Sequence, residues 1–158
     1  MASQLLTTWA EHEIAVQEVL LLASHTLRIF DENLSALALE RPDRLTALRR
    51  LLTSSPQHTV QIVVRHALLL QRNYPQLIKL LDTHSHNLKL CESPSHVAAM
   101  TDSLLLADGR HALVRFHQDH ARAKLIINDT GECMPYENRF AEILAEGGTP
   151  QYSTTLGL

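Results

Sequence analysis

Residues 59–64 read Thr-Val-Gln-Ile-Val-Val. Thr59, Val60, Ile62, Val63 and Val64 are all β-branched, and such side chains lose χ1 freedom in a helix but pack well on a pleated surface. Apolar residues fall on both faces of the segment, so it reads as a strand running through the middle of a covered sheet. On its amino side, Pro42 opens a predicted helix, because its missing N–H costs nothing in a first turn. Leu45, Leu48, Leu51 and Leu52 supply the buried stripe, with Arg44, Arg49 and Arg50 largely off it, and Thr53-Ser54-Ser55-Pro56 ends the helix. On its carboxyl side, a helix is predicted over 68–83, carrying Leu70, Leu77, Ile78, Leu80 and Leu81. Pro75 lies inside that span and either kinks the helix or marks its true start.

Working outward, Thr26–Phe30 is a short strand stopped by Asp31-Glu32-Asn33, and Leu88–Cys91 is another, followed by Glu92-Ser93-Pro94. The first segment, residues 4–24, has Leu5, Trp9, Val16, Val19, Leu20 and Ala23 at helical spacings and contains neither Gly nor Pro, which predicts a helix. The resulting α-β-α-β-α-β order favours parallel strands joined by helical crossovers. The expected fold is therefore α/β, layered, with a mostly parallel central sheet and helices on both faces. The pattern then changes. Ser103–Leu106 and Ala112–Phe116 flank Asp108-Gly109, a strong hairpin signal. Ala121–Ile127 is a further strand ended by Asn128-Asp129-Thr130-Gly131, and Pro135 starts a last helix with Phe140, Ile143 and Leu144, closed by Gly147-Gly148. This gives one domain over 1–148 and an extended or loosely packed tail over 149–158.

With 158 residues and 45% apolar content, the chain can bury a core without disulfides or a structural metal. Its net charge of −3 disfavours nucleic acid and acidic membranes as partners. Arg41, Arg44, Arg49 and Arg50 are interleaved with Glu40 and Asp43, which reads as a solvated helix face. Two cysteines, Cys91 and Cys133, make no disulfide framework, and residues 1–8 lack a basic segment ahead of an apolar run. The apolar stretches Val19–Ala23 and Ala67–Leu70 fall far short of a membrane span. A cytoplasmic protein without membrane attachment is expected.

The strand at 26–30, the helix RPDRLTALRRLL, the strand TVQIVV, the helix ending LIKLLDTHS and the segment DSLLLADGR follow one another in an order that resembles one half of the phospholipase D superfamily. In particular it resembles small bacterial proteins with a degenerate core of that kind, over residues 25–146. Active members carry H-x-K-x4-D on the strand entering the hairpin, the histidine attacking phosphorus and the lysine neutralising phosphate oxygens. Asp108 aligns with the end of that motif, which puts Ser103 at the lysine position and Thr101 at the histidine position. Threonine is not an imidazole nucleophile and serine carries no charge. The Gly-Ser that follows the motif in many members has no counterpart around Arg115-Phe116. The resemblance thus implies a domain without the family chemistry, and a homodimer, since half-length members pair about a two-fold axis.

Other constellations are weaker. Asp31, Arg65 with His66, and Glu92 each follow one of the three predicted parallel strands, and ligands of open α/β sheets bind beyond the carboxyl ends of strands. Arg65 and His66 are suited to hold a phosphate there, although polar residues follow most strands simply because the chain turns in water. Asp108 has an equally plain role in an Asp-Gly turn. His117, Asp119 and His120, and the pair His84 and His86, lack the further ligands a zinc site needs, and no nucleotide fingerprint occurs. No cofactor and no metal is expected. The functional expectation is a binding or self-association module, with a phosphoesterase or a binder of a small phosphate-bearing ligand, built on Asp31, Arg65, His66, Glu92 and Asp108, as the alternative.

Overall fold

The computed structural model describes residues 3–152. Its strands are β1 (Gln4–Leu6), β2 (Thr26–Asp31), β3 (Thr59–Val64), β4 (Leu88–Glu92), β5 (Ser103–Ala107), β6 (His111–Arg115), β7 (Ala123–Ile126) and β8 (Thr149–Pro150). The helices are α1 (Trp9–Leu22), α2 (Pro42–Ser54), α3 (Leu70–Asn73), α4 (Pro75–Thr83) and α5 (Thr130–Ala145). All eight strands form one open sheet in the order β1-β7-β6-β5-β2-β3-β4-β8.

The mixed α/β class holds, but a mostly parallel sheet does not. Only β2–β3 and β3–β4 pair in parallel, while β1–β7, β7–β6, β6–β5, β5–β2 and β4–β8 are antiparallel. α2 connects β2 to β3, and α3 with α4 connects β3 to β4, whereas α1 and α5 join strands that are not neighbours in the sheet. Short connections link β5, β6 and β7, and a hairpin reverses direction at each turn. β5 then docks against β2 with Ile29 opposite Leu105, which places the antiparallel half beside the parallel half.

Side chains alternate across the sheet, and two cores result. Leu27, Ile29, Val60, Ile62, Val64, Leu105 and Leu113 face a layer built from α1, α2, α3 and α4. Phe30, Val63, Leu104, Leu106 and Val114 face α5 through Cys133, Phe140 and Ile143. β3 lies between β2 and β4 with both faces covered, as its composition predicts.

Several local boundaries differ from expectation. Residues 4–6 pair with β7 as a strand, and the helix begins only at Trp9, where Thr8 and Glu11 form a capping box. Pro75 is a start and not a kink. α5 begins five residues before Pro135, because the Asp129 carboxylate accepts the Glu132 amide at 3.0 Å and caps the helix. Pro135 inside it forfeits the bond that Gly131's carbonyl would accept. Asp108 and Gly109 both have positive φ, 57° and 70°, as a primed hairpin turn requires. Thr149–Pro150 of the expected tail pairs with β4, and Gly148 allows it, since a Cβ there would stand 2.5 Å from the Glu92 carbonyl oxygen. Residues 153–158 of that tail lie outside the described residues. No helix among the described residues is long and apolar enough to cross a membrane.

Candidate functional site

The carboxyl ends of β2 and β3 meet the start of β5 and the end of β6 along one edge of the sheet, where Asp31, Ser103 and Arg115 converge. Ser103 Oγ donates to Asp31 Oδ1 at 2.5 Å, and Arg115 Nη2 donates to both Asp31 Oδ1 and Ser103 Oγ at 3.2 Å. The other Asp31 oxygen accepts the Leu34 amide at 2.7 Å. Asp31 and Arg115 are only 1% and 2% exposed, so this is a buried ion pair, in which Asp31 accepts three hydrogen bonds and Arg115 Nε has no partner.

Arg115 reaches further. Its Nη1 donates to the carbonyls of His117 and Gln118 at 3.0 and 2.6 Å, and its guanidinium stacks 5.5 Å from the Trp9 ring. On the opposite face, Arg65 lies 4.9 Å over the Phe30 ring and donates to the Asp102 carbonyl and to Gln118 Oε1. Two arginines from opposite faces thus tie down the β6–β7 loop across the sheet edge. The Asp102 carboxylate closes the flank with a two-point pair to Arg139 at 2.9 and 2.8 Å. Burial pulls the Arg65 guanidinium below its ordinary value, with Asp31, Asp102 and Glu32 opposing.

His12, on α1, completes the buried cluster. It is 2% exposed, edge-on to Trp9, and burial together with Arg115 and Arg44 pushes its imidazole down to about 4 despite Asp31. Neither His12 nor Arg115 stands out in the sequence; the signals available were a histidine on the sheet-facing side of α1 and an arginine ending an otherwise apolar strand. Arg44 is a correction. It is 1% exposed, not solvated, and donates to Gln17 Oε1 and to the carbonyls of Leu37 and Glu13. Arg50 likewise donates to the Leu20, Leu21 and Ala23 carbonyls at the end of α1.

The five residues expected to form a site separate into three places. Asp31 and Arg65 are buried, with their side chains on opposite faces. Asp108 sits beyond the far end of β5, where its carboxylate accepts the amides of Ser24, His25 and Thr26 at 2.8–2.9 Å and the Ser24 hydroxyl at 3.0 Å. Burial works against its charge, yet these bonds hold its carboxyl below the ordinary value. His66 and Glu92 share one place. They line a crevice of about 360 Å3 at the ends of β2, β3 and β4, walled by Leu68, Leu69 and Tyr74 and edged by Asn33. A larger groove of about 710 Å3 runs along β4 and β8 and contains none of the five. His117 and His120 have ring centroids 5.1 Å apart, and among the described residues no three His, Cys, Asp or Glu side chains come together as a metal site.

Several solved structures share this architecture. TrmBL2, an archaeal chromatin protein with a novel mode of DNA binding, superposes with a TM-score of 0.69 at 14% identity, over 94% of this chain and 54% of its own, so this chain spans about half of it. Nuc from Salmonella typhimurium, a phospholipase D family member, superposes with a TM-score of 0.66 at 14% identity over 96% of this chain and 99% of its own. NucT from Helicobacter pylori gives 0.61 at 16% identity over 94% and 98%. The likeness establishes a phospholipase-D-like fold. No curated protein sequence matches the chain. The family model that matches covers residues 8–149, and the chain belongs to DUF7931, a domain of unknown function.

Proposed function

We propose that this chain is a non-catalytic phospholipase-D-like module that works by binding. The observation that carries the reading is the Ser103–Asp31–Arg115 network. The position that the resemblance assigns to a phosphate-neutralising lysine is Ser103, whose hydroxyl is held by a buried carboxylate. Thr101 stands where the attacking imidazole would be, and His12, beside the cluster on α1, is buried edge-on to Trp9. A nucleophile needs access to its substrate and an open seat for the developing charge. Here Arg115, the arginine that could serve such a seat, is engaged by Asp31 and by the His117 and Gln118 carbonyls.

The partner is a protein or a small molecule in preference to nucleic acid. TrmBL2 binds DNA, but this chain has a net charge of −3 and pairs Arg28, Arg41, Lys124 and Arg139 with carboxylates, which weakens its attraction for phosphates. Self-association about a two-fold axis follows from the resemblance, and light scattering at micromolar concentration reads it directly. The decisive assay is hydrolysis of bis(p-nitrophenyl) phosphate and p-nitrophenyl phosphate by the purified chain. No turnover is expected; turnover that disappears in Ser103→Ala, Arg115→Met or His66→Ala would overturn the proposal.

A further inference from the structure

Glu92 is the unbalanced group of the strand-end crevice. Its Oε2 accepts the Ala67 amide at 2.8 Å, which fixes the carboxylate at the crevice wall, and among the described residues no cationic side chain pairs with it. Arg65, next to His66 in the chain, is turned to the other face beneath Gln118. Two more carboxylates lie close by. Glu40 accepts the Gln76 and Leu77 amides at the start of α4, and Asp31 accepts the Leu34 amide. Tyr74, in the crevice wall, is pushed up to about 12, by burial first and then by Asp31, which is itself paired with Arg115, and by Glu40.

The rest of the crevice is lined by Leu68, Leu69, Leu70 and Tyr74, with Asn33, Ser35, His66 and Asn73 as polar neighbours. Leu68 and Leu69 stand at its mouth 90% and 54% exposed, an unfavourable placement for large aliphatic side chains without something to cover them. The loop that supplies Asn33 holds Leu34 and Ala38 at φ of 71° and 48°, in the left-handed region that non-glycine residues rarely enter. Such backbone persists where its surroundings impose it, and it gathers at binding sites. Here the Asp31 carboxylate on the Leu34 amide and the Arg44 guanidinium on the Leu37 carbonyl impose it. Apolar walls with a few fixed polar groups are the usual make-up of a small-molecule site, and 360 Å3 lies within the usual size.

We infer that this crevice binds a small apolar molecule carrying one ammonium group, its apolar part against Leu69 and Tyr74 and its charge on Glu92. An anionic ligand would meet Glu92 with no guanidinium to offset it. The inference rests on the reading of the domain as a binding module, and it names the class of ligand.

The test titrates the full chain with hexylammonium chloride, hexan-1-ol and sodium hexanoate near pH 7, followed by calorimetry and amide NMR. Hexylammonium should bind at least tenfold more tightly than hexanol, with amide shifts confined to Asn33, Ala67–Leu70 and Glu92, and hexanoate should not bind. Glu92→Gln keeps an acceptor for the Ala67 amide; it should erase the tenfold preference while retaining hexanol binding, which also reports that the variant is folded. Hexanoate binding as tightly as the amine, an unchanged preference in Glu92→Gln, shifts centred elsewhere, or no saturable binding of hexylammonium would each overturn it. Phosphodiester turnover in the hydrolysis assay would instead sink the non-catalytic reading and leave a positive titration standing.

Discussion

Lowering the pH from 7 to 4 should cost the fold about 3 kcal/mol through His12 alone. In the folded chain this imidazole is buried edge-on to Trp9, faced by Arg115 from β6, Arg44 from α2 and Asp31 from β2. Burial and the two guanidiniums outweigh the carboxylate and hold it down to about 4, against 6.5 for an ordinary histidine. Once unfolded, the side chain takes a proton as the pH falls through 6.5, whereas the folded chain resists protonation until about 4. The stability associated with neutral His12 is therefore intact above 6.5, declines through the window from 6.5 to 4, and levels off below it. At about 1.4 kcal/mol per pH unit the whole window corresponds to about 3.5 kcal/mol, of which about 3 is lost by pH 4, where half of the folded chains still hold neutral His12. Urea unfolding of the native chain and of His12→Leu at closely spaced pH values isolates the effect, because other groups titrate in both proteins and largely cancel in the difference. The native chain should lose about 3 kcal/mol more than the variant between pH 7 and pH 4. A difference that stays constant within about 1 kcal/mol would refute the burial of a neutral imidazole beside Arg115.

Two further expectations concern the charged groups of the sheet. Arg115→Met strands a buried Asp31 and should cost about 3–5 kcal/mol, whereas adding Asp31→Asn should recover part of that loss; a double-mutant cycle in urea with no coupling would remove the network as a unit. Asp108→Ala removes a carboxylate acceptor from three amides at the start of β2, two of them open to water, and should cost about 1–2 kcal/mol. Because Asp108's carboxyl titrates below its ordinary 3.8, its contribution should persist above that pH and be lost as the pH falls through its lower folded value. Native and variant chains that converge only above pH 5 would contradict this.

Much of what depends on neighbours along the chain was legible beforehand, although the Thr8–Glu11 and Asp129 helix caps were not read. β3 and α2 match the sequence reading in place and type, Pro75 opens a helix, and Asp108-Gly109 turns a hairpin, because β-branched runs, proline at a first turn and positive-φ turns act within a few residues. The residues that follow strands were also visible as strand-end polarity, and two of them, His66 and Glu92, do share a crevice.

Long-range contacts decided the rest. Periodicity says which face of a segment is buried but not what covers it, so Gln4–Leu6 looked helical until β7 offered an open edge, and β5 could not be seen to run against β2. The Ser103–Asp31 and Arg115–Asp31 bonds join residues 72 and 84 positions apart. No local rule links such residues, because a hydrogen bond or an ion pair is a property of where two side chains end up in space. Sequence alone determined that this chain builds an α/β sheet with neither histidine nor lysine at positions 101 and 103. Only the tertiary packing turned Asp31, Ser103 and Arg115 into a buried plug and left Glu92 without a cation.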